Sequence, residues 1–226
     1  MYELYCGDNE KYLNRIVPDA IITDPPYGIG MCNRSDGGGV LSAKSGNKTY
    51  SRKTWDSKPA KSSTIERILS FNVPTVIWGG NYFSLPPTQC LLIWDKGQRG
   101  FSLADAEIAW TNLNRAIRIF DYSRGEANQE TKFHPTQKPT ELIKWVLRQM
   151  RLPQGVTICD PYMGSGTTGV AALQLGFRFI GIELDEHYYK VACKRLADAN
   201  RAAQGQPKQL RGSINDYSDA PLFAQT

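Results

Sequence analysis

Residues 160–168 read Asp-Pro-Tyr-Met-Gly-Ser-Gly-Thr-Thr and give the strongest indication of architecture in this chain. They stand between an apolar run at 156–159, which predicts a strand, and residues 167–175, which predict a helix ended by Gly176. Glycines at such a junction let the backbone approach a ligand, and the helix start supplies unpaired N–H groups. Alone, the stretch also fits an ordinary tight turn. A phosphate-binding P-loop is excluded, because its lysine and its longer spacing are absent.

On either side of this turn, strand and helix patterns alternate along the chain. Weak strand patterns at 106–110 and 116–120 predict an antiparallel hairpin. Strands separated by helices predict an α/β fold with a mostly parallel sheet and helices on both faces. The remaining predicted strands are 2–6, 20–23, 73–78, 90–94, 156–159 and 179–182, and the predicted helices are 9–17, 63–70, 140–151, 167–175 and 186–200.

The overall composition excludes several classes of protein. The 226 residues are 41% hydrophobic and 22% charged, which suits a globular domain that needs no staples. No apolar run approaches the ~18 residues that cross a bilayer, and MYELYCGDNE lacks the features of a secretory signal. Five cysteines without a CxxC pair favour a reducing, cytoplasmic location. With only two histidines, we expect no metal site.

Positive charge is concentrated in one part of the chain. Residues 28–61 contain seven basic and two acidic residues, so this stretch alone equals the net charge of +5 of the whole chain. Its three consecutive glycines and weak periodicity predict a long mobile loop. A solvated insertion and an arm that contacts a polyanion both fit this composition. The seven bases are Arg34, Lys44, Lys48, Arg52, Lys53, Lys58 and Lys61.

The motif Asp24-Pro25-Pro26-Tyr27 follows a predicted strand, and open α/β sheets bind ligands at the carboxyl ends of their strands. Pro25 offers a carbonyl without an N–H group, and Asp24 adds a second acceptor beside it. Two rigid acceptors suit an amino group with two hydrogens. The ring of Tyr27 can stack on a planar base, an interaction worth about 1–3 kcal/mol. A proline turn with a surface tyrosine is the alternative.

Two further segments lie at strand ends or before a predicted helix. Glu183 ends the strand after the glycine-rich turn, where an acid can accept hydrogen bonds from two ribose hydroxyls. The sequence therefore indicates nucleoside binding rather than pyrophosphate binding. The other segment, His-Pro-Thr-Gln-Lys-Pro at 134–139, leads into the helix at 140–151.

Together these motifs resemble the amino-group DNA methyltransferases that use S-adenosylmethionine. The order DPPY, HPTQKP and DPYMGSGTT is that of the permuted, β-class group. The resemblance covers about residues 2–30 and 74–196. It implies a Rossmann-like methyltransferase sheet and methyl transfer to the exocyclic amino group of a base flipped out of double-stranded DNA.

The resemblance also implies roles for individual residues. Asp24, Pro25, Pro26 and Tyr27 would form the catalytic site for the target base. Lys138 and its neighbours would close over the methionine moiety, Asp8 would meet the adenine amino group, and His134 would be a packed loop residue rather than a general base. The full predicted cofactor set is Asp8, His134, Thr136, Gln137, Lys138, Asp160, Tyr162, Gly164, Ser165, Gly166, Thr167, Thr168, Glu183 and Asp185.

The target and the DNA contacts follow from the same resemblance. The initial Asp24 favours adenine N6, since the cytosine-N4 subgroup more often has Ser there and enzymes that methylate protein glutamine have Asn. A non-catalytic DNA-binding relative is a further alternative, which the intact motifs disfavour. The predicted DNA-binding residues are Arg34, Lys44, Lys48, Arg52, Lys53, Arg115, Arg118 and Arg124.

We expect a single permuted catalytic domain at 1–200. It would carry the basic loop at 31–61 and a short target-recognition segment at 112–133, followed by a flexible tail at 201–226. The expected partner is double-stranded DNA, with no membrane. The sequence leaves open the recognition site, a cognate restriction endonuclease, and a homodimer as the oligomeric state.

Overall fold

In the computed structural model, residues 1–29, 58–100, 104–131, 133–134 and 136–205 are described, and they form one eight-stranded sheet with six helices. The strands are β1 Tyr2–Cys6, β2 Ala20–Thr23, β3 Thr75–Trp78, β4 Leu91–Asp95, β5 Ala106–Thr111, β6 Arg118–Asp121, β7 Thr157–Asp160 and β8 Arg178–Glu183. The helices are α1 Asn9–Tyr12, α2 Ser62–Ser70, α3 Arg124–Ala127, α4 Thr140–Met150, α5 Thr167–Gln174 and α6 Glu186–Ala203.

The strand order is β1-β8-β7-β2-β3-β5-β4-β6. The first five strands in this order are parallel, so their carboxyl ends share one edge of the sheet. Among the described strands only β5 is reversed, and it pairs antiparallel with β3 on one side and β4 on the other. The predicted α/β class and the mostly parallel sheet are therefore confirmed.

The predicted hairpin between 106–110 and 116–120 is wrong. The antiparallel hairpin joins β4 to β5, and β6 lies on the other side of β4, parallel to it. Burial explains this order. Leu92 and Trp94 of β4 are buried, as expected of an interior strand, whereas Ile119 of β6 is 59% exposed at the edge of the sheet.

Two apolar cores cover the two faces of the central strands. Alternate residues of β2 supply both, because successive side chains point to opposite faces. Ala20 and Ile22 pack with residues of α4, α5 and α6, while Ile21 packs with residues of α2. All three are fully buried. This explains why β2 appears in the sequence as a continuous apolar run.

Several element boundaries differ from the prediction. The first helix is short, ending at Tyr12 instead of reaching residue 17, and Pro18 follows soon after. Conversely, α6 continues to Ala203, into the stretch expected to be a tail, and residues 206–226 lie outside the described residues. The segment 112–133 contains β6 and α3, and α3 begins with a capping box between Ser123 and Glu126. None of the described helices is long and apolar enough to span a membrane.

The packing of α5 on β8 gives a first prediction. A Cβ atom on Gly169 would lie 2.6 Å from the Phe179 ring and 2.7 Å from Leu196, so Gly169→Ala overpacks this contact. We expect it to lower the free energy of unfolding by about 1–2 kcal/mol, after the gain in helix propensity. Urea denaturation measures the change. Gly125→Ala in α3 is the control, since its nearest neighbour would be 3.6 Å away, and it should not destabilise the protein. Equal stabilities would contradict the packing argument.

Candidate active site

A cavity of about 350 Å³ lies at the carboxyl ends of β1, β2, β7 and β8, the usual ligand position in open α/β sheets. All the predicted motifs contribute to its wall. Among the predicted residues, Pro25, Tyr27, Gly166 and the three described arginines do not line it. Those that do are Asp8, Asp24, Pro26, His134, Thr136, Gln137, Lys138, Asp160, Tyr162, Gly164, Ser165, Thr167, Thr168, Glu183 and Asp185.

The carboxylate of Asp160 joins the elements that form the cavity floor. It is 3% exposed and accepts hydrogen bonds from the hydroxyls of Thr23, at 2.9 Å, and Thr168, at 2.7 Å. The backbone N–H of Tyr162 donates a third, at 3.0 Å. Burial raises the pKa of Asp160 to about 6 even though these donors favour the charged form. Its oxygens therefore tie β2 and α5 to the end of β7.

The glycine-rich turn has the backbone that its sequence requires. Gly164 and Gly166 have φ angles of +52° and +81°, which favour glycine. A Cβ atom on Gly166 would also lie 2.6 Å from Leu196 of α6, so α6 can pack directly against the turn. On the outer side, the Arg195 guanidinium donates to the Ser165 carbonyl, at 2.7 Å, and to the Thr167 hydroxyl, at 3.1 Å. Sequence analysis missed Arg195, because a basic residue on a helix is normally solvated.

Glu183 is held in place by the backbone. Its carboxylate accepts hydrogen bonds from the N–H of Gly164, at 2.9 Å, and from that of Asp185, at 2.8 Å. Burial raises the pKa of Glu183 to about 7, although both N–H groups favour the charged form. Each oxygen keeps a further lone pair for a ligand. Asp8 and Asp185 themselves cap helices, accepting from the N–H groups of Glu10 and Tyr188.

The segment at 134–139 packs against the glycine-rich turn. Gln137 accepts hydrogen bonds from the Ser165 hydroxyl, at 3.1 Å, and from the N–H of Phe133, at 3.0 Å. His134 contacts the Tyr188 ring, with ring centroids 4.2 Å apart, and its Nδ1 accepts from the N–H of Thr136. His134 is thus packed within the loop, and its predicted part in the cofactor pocket stays a prediction.

Lys138 lies against the carboxylate of Asp24. The ammonium donates to Asp24 Oδ2 at 2.6 Å, and it lies 3.1 Å from Glu107 Oε2. The side chain is 8% exposed and also lines the cavity, where it was expected to cover a cofactor. Burial opposes its charge, but Asp24 and Glu107 outweigh burial and hold the pKa of Lys138 well above its usual value. Sequence analysis missed Glu107, whose one signal was a carboxylate near the start of an otherwise apolar strand.

Tyr27 belongs to an aromatic cluster behind Asp24. Its hydroxyl donates to Asp24 Oδ1, and burial raises the pKa of Tyr27. The ring stacks on Tyr82, with centroids 4.7 Å apart and planes at 12°, and meets Phe83 edge-on. A Cβ atom on Gly79 would lie 2.2 Å from the Tyr27 ring, so only glycine fits there. Tyr82 is 45% exposed, and this partner of Tyr27 was not predicted.

The described residues on the two sides of residues 30–57 contact each other beside this cluster. The N–H of Ala60 donates to the Pro26 carbonyl at 2.9 Å, and Tyr27 forms an isolated β-bridge with Pro59. Residues 58–61 then line the cavity. Five of the bases predicted to bind DNA lie outside the described residues, namely Arg34, Lys44, Lys48, Arg52 and Lys53.

The other predicted DNA contacts lie away from the cavity. Arg115 donates to the Gln149 carbonyl at the end of α4, Arg118 begins the edge strand β6, and Arg124 begins α3. Their contact with DNA stays a prediction. In the part of the chain that the structure describes, no group of three or more His, Cys, Asp or Glu side chains is placed to hold a metal ion.

The fold and the cavity define a Rossmann-like α/β protein with a ligand site at the carboxyl edge of its sheet. Residues 40–194, more than half of the chain, match the N6/N4 family described as DNA methylase. The chain belongs to this family.

Known proteins resemble the chain in sequence and in fold. The type II methyltransferase M2.DpnII of Streptococcus pneumoniae is 49% identical over 67 residues, which are 30% of this chain and 25% of that protein. The structure of the M1.HpyAVI–SAM complex covers 87% of this chain and 99% of its own, with a TM-score of 0.56 and 22% identity. The match to the structure of the cytosine-N4-specific PvuII DNA methyltransferase covers 91% of this chain and 93% of the PvuII chain, with a TM-score of 0.52 and 15% identity. The matched segments span 23% to 34% of the curated relatives' own lengths.

The raised pKa of Glu183 gives a prediction for the free protein. The folded state binds the proton more tightly than the unfolded chain does, so ionisation of Glu183 lowers stability as pH rises from about 4.5 to about 7. Relative to Glu183→Gln, the parent should lose at most about 3 kcal/mol of stability over this range and no more above it. Urea titrations across pH measure the difference. Glu66→Gln, an exposed residue on α2, controls for the loss of one carboxylate. A pH-independent difference at position 183 would refute the burial argument.

Proposed function

We propose that this protein is a DNA adenine-N6 methyltransferase that uses S-adenosylmethionine. One observation carries the proposal. Asp24, an acceptor suited to an amino group, lines the same cavity as Glu183 and the turn at Gly164. A nucleoside cofactor and a target base would therefore meet at Asp24.

The cavity residues suit S-adenosylmethionine. Glu183, held by two backbone N–H groups, would accept hydrogen bonds from the ribose hydroxyls, and Asp8 lies in the wall near the end of β1. The turn at 164–166 lets the ligand approach the backbone. When bound, the cofactor supplies an electrophilic sulfonium methyl group. The M1.HpyAVI complex, solved with SAM, shares the fold.

The residues around Asp24 explain how an amino nitrogen would become reactive. Its lone pair is delocalised into the base, which makes it a poor nucleophile. Hydrogen bonds from its two N–H groups to Asp24 and to the Pro25 carbonyl would localise that lone pair, so that the nitrogen could accept the methyl group and then release the displaced proton to solvent. Tyr27 donates to Oδ1 of Asp24 and Lys138 to Oδ2, and the two contacts fix the orientation of the carboxylate. Positioning and electrostatics supply the catalysis, with no covalent intermediate.

The target base must leave the duplex, at a cost of a few kcal/mol, to reach Asp24. The Tyr27 ring is already stacked on Tyr82, which is itself 45% exposed, so Tyr82 would supply stacking surface for the base. The initial Asp24 favours adenine, and cytosine N4 is the second candidate, since the PvuII enzyme shares the fold. A cognate restriction endonuclease as partner and a cytoplasmic location are further parts of this proposal, and the matched relative M2.DpnII is named as a type II methyltransferase.

The proposal is tested with purified protein, radiolabelled S-adenosylmethionine and a DNA library of all short sites. Methylated bases are then identified by digestion to nucleosides and mass spectrometry, and their sites by sequencing. N6-methyladenine in one short sequence supports the proposal. N4-methylcytosine would show the second candidate to be correct, and DNA binding without transfer would indicate a non-catalytic relative.

Replacing Asp24 gives a specific prediction for the chemistry. Asp24→Ala should abolish measurable methyl transfer while the protein stays folded and binds DNA, because the lost acceptor acts mainly on the amino group as it reacts. Single-turnover transfer with saturating cofactor and DNA measures this effect. The control is Asp105→Ala, an exposed residue before β5 that does not line the cavity. Near-normal turnover of Asp24→Ala would refute the mechanism.

The basic stretch at 28–61 gives a separate prediction about DNA. Replacing Lys44, Lys48, Arg52 and Lys53 with Gln should weaken DNA binding and flatten its salt dependence by about 0.9 in log–log slope for each lost phosphate contact. Cofactor binding should hardly change. Fluorescence anisotropy at several salt concentrations measures both quantities.

The matched control removes four exposed bases that precede or begin parallel strands, at the edge opposite the cavity. It should leave the salt slope unchanged. If the two quadruple variants bind DNA alike, the stretch at 28–61 is only a solvated insertion. The control positions are Arg15, Arg148, Arg151 and Arg178, each changed to Gln.

A further inference from the structure

We propose that Glu107 is a positioning residue for methyl transfer, which holds the ammonium of Lys138 between two carboxylates so that Asp24 keeps its capacity to accept hydrogen bonds. This inference rests on the proposed function. It concerns a residue on β5 that belongs to none of the sequence motifs and does not line the cavity.

The contacts form a continuous chain of alternating charge. Lys138 lies 2.6 Å from Asp24 and 3.1 Å from Glu107, and the other oxygen of Glu107 lies 2.7 Å from the ammonium of Lys96. Both lysines are less than 9% exposed, so neither charge is solvated by bulk water. Each ammonium also lies over an indole ring, Lys138 over Trp78 at 5.1 Å and Lys96 over Trp94 at 5.0 Å. The ammonium groups are therefore fixed in place.

The reversed strand explains how Glu107 reaches the site. β5 is antiparallel to β3, and Trp78 pairs with Ala109, so residues before 109 extend beyond the carboxyl end of β3. Asp24 follows the adjacent β2 at the same edge. A parallel strand in this position would place its first residues at the opposite edge. The antiparallel pairing is thus what brings a β5 carboxylate within reach of Lys138.

The charge balance indicates what Glu107 does. A lysine bound to Asp24 alone would neutralise the carboxylate that is to accept the amino hydrogens. Its charge would also oppose the positive charge that would develop on the amino nitrogen as it accepts a methyl group. Glu107 competes for the same ammonium and compensates its charge. Lys96, in turn, compensates the second carboxylate and sets its orientation.

The alternative is that this chain of ion pairs only stabilises the fold, in which case the rate of methyl transfer should follow stability. Breaking a buried pair by removing one partner destabilises a protein, because the other charge is left without compensation. Glu107→Gln should therefore destabilise the protein under either interpretation. The two interpretations differ in whether restored stability also restores the rate.

The experiment compares four proteins in single-turnover methyl transfer at saturating cofactor and DNA. They are the parent, Glu107→Gln, Glu107→Asp and the double variant Lys96→Met/Glu107→Gln. We expect Glu107→Gln to transfer about tenfold to a hundredfold more slowly, with cofactor and DNA dissociation constants near those of the parent. Glu107→Asp should recover part of the rate. The double variant should recover thermal stability but not the rate, because Lys138 still lacks its second carboxylate.

A matched control tests an ion-pair glutamate away from the cavity. Glu141 pairs with Lys144 on α4 at 2.7 Å, and Glu141→Gln should retain the parent's rate.

A second readout, the titration of Lys138, does not depend on methyl transfer. Among the residues that the structure describes, the titratable groups Asp24, Glu107 and Tyr27 face Lys138. In NMR spectra of ¹³C-labelled lysine, the Lys138 signal, assigned by its loss in Lys138→Arg, should titrate at lower pH in Glu107→Gln.

The outcomes separate this inference from the proposed function. A parent that transfers no methyl group to DNA overturns both. An active parent with Glu107→Gln at the parent's rate overturns only the positioning role. If the double variant regains both the rate and the stability of the parent, the positioning role is also overturned, because Glu107 then acts only on stability. An unchanged Lys138 titration in Glu107→Gln would show that Glu107 does not hold that charge.

Discussion

The buried carboxylate of Asp160 is the interaction on which the geometry of the cavity depends. It receives hydroxyl hydrogen bonds from Thr23 at the end of β2 and from Thr168 in the first turn of α5. Asp24 is the next residue after Thr23, so the same bonds set its position relative to the glycine-rich turn. A charge so deeply buried is costly unless it is paired or hydrogen-bonded. The site therefore forms only when three separate segments of the chain converge.

Much of this arrangement could be predicted from local sequence. Continuous apolar runs identify buried parallel strands, and a motif that follows such a run lies at the carboxyl edge of the sheet. Position along the chain alone thus places Asp24, Asp160 and Glu183 near one another. The positive φ angles at Gly164 and Gly166 also agree with the reason for expecting glycine there.

The side-chain partners could not be predicted in the same way. Lys138 and Asp24 are separated by 114 positions, and no local pattern indicates their contact. The order of β4, β5 and β6 depends on which strand buries both of its edges, a property of the whole sheet. Glu107 acquires its importance only from that order. Tyr82 likewise contacts Tyr27 because a short turn after β3 returns over the ring.

The contacts between the residues that flank positions 30–57 bear on how the sequence of this stretch can be altered. Pro26 and Ala60 are hydrogen-bonded, and Tyr27 forms a β-bridge with Pro59, so the described residues on the two sides of this stretch are joined. Because these contacts follow Asp24 directly along the chain, the two described ends share one position beside the cavity. An exchange of sequence between residues 30 and 57 that keeps Pro26, Tyr27, Pro59 and Ala60 therefore keeps the contacts that hold the chain just after Asp24.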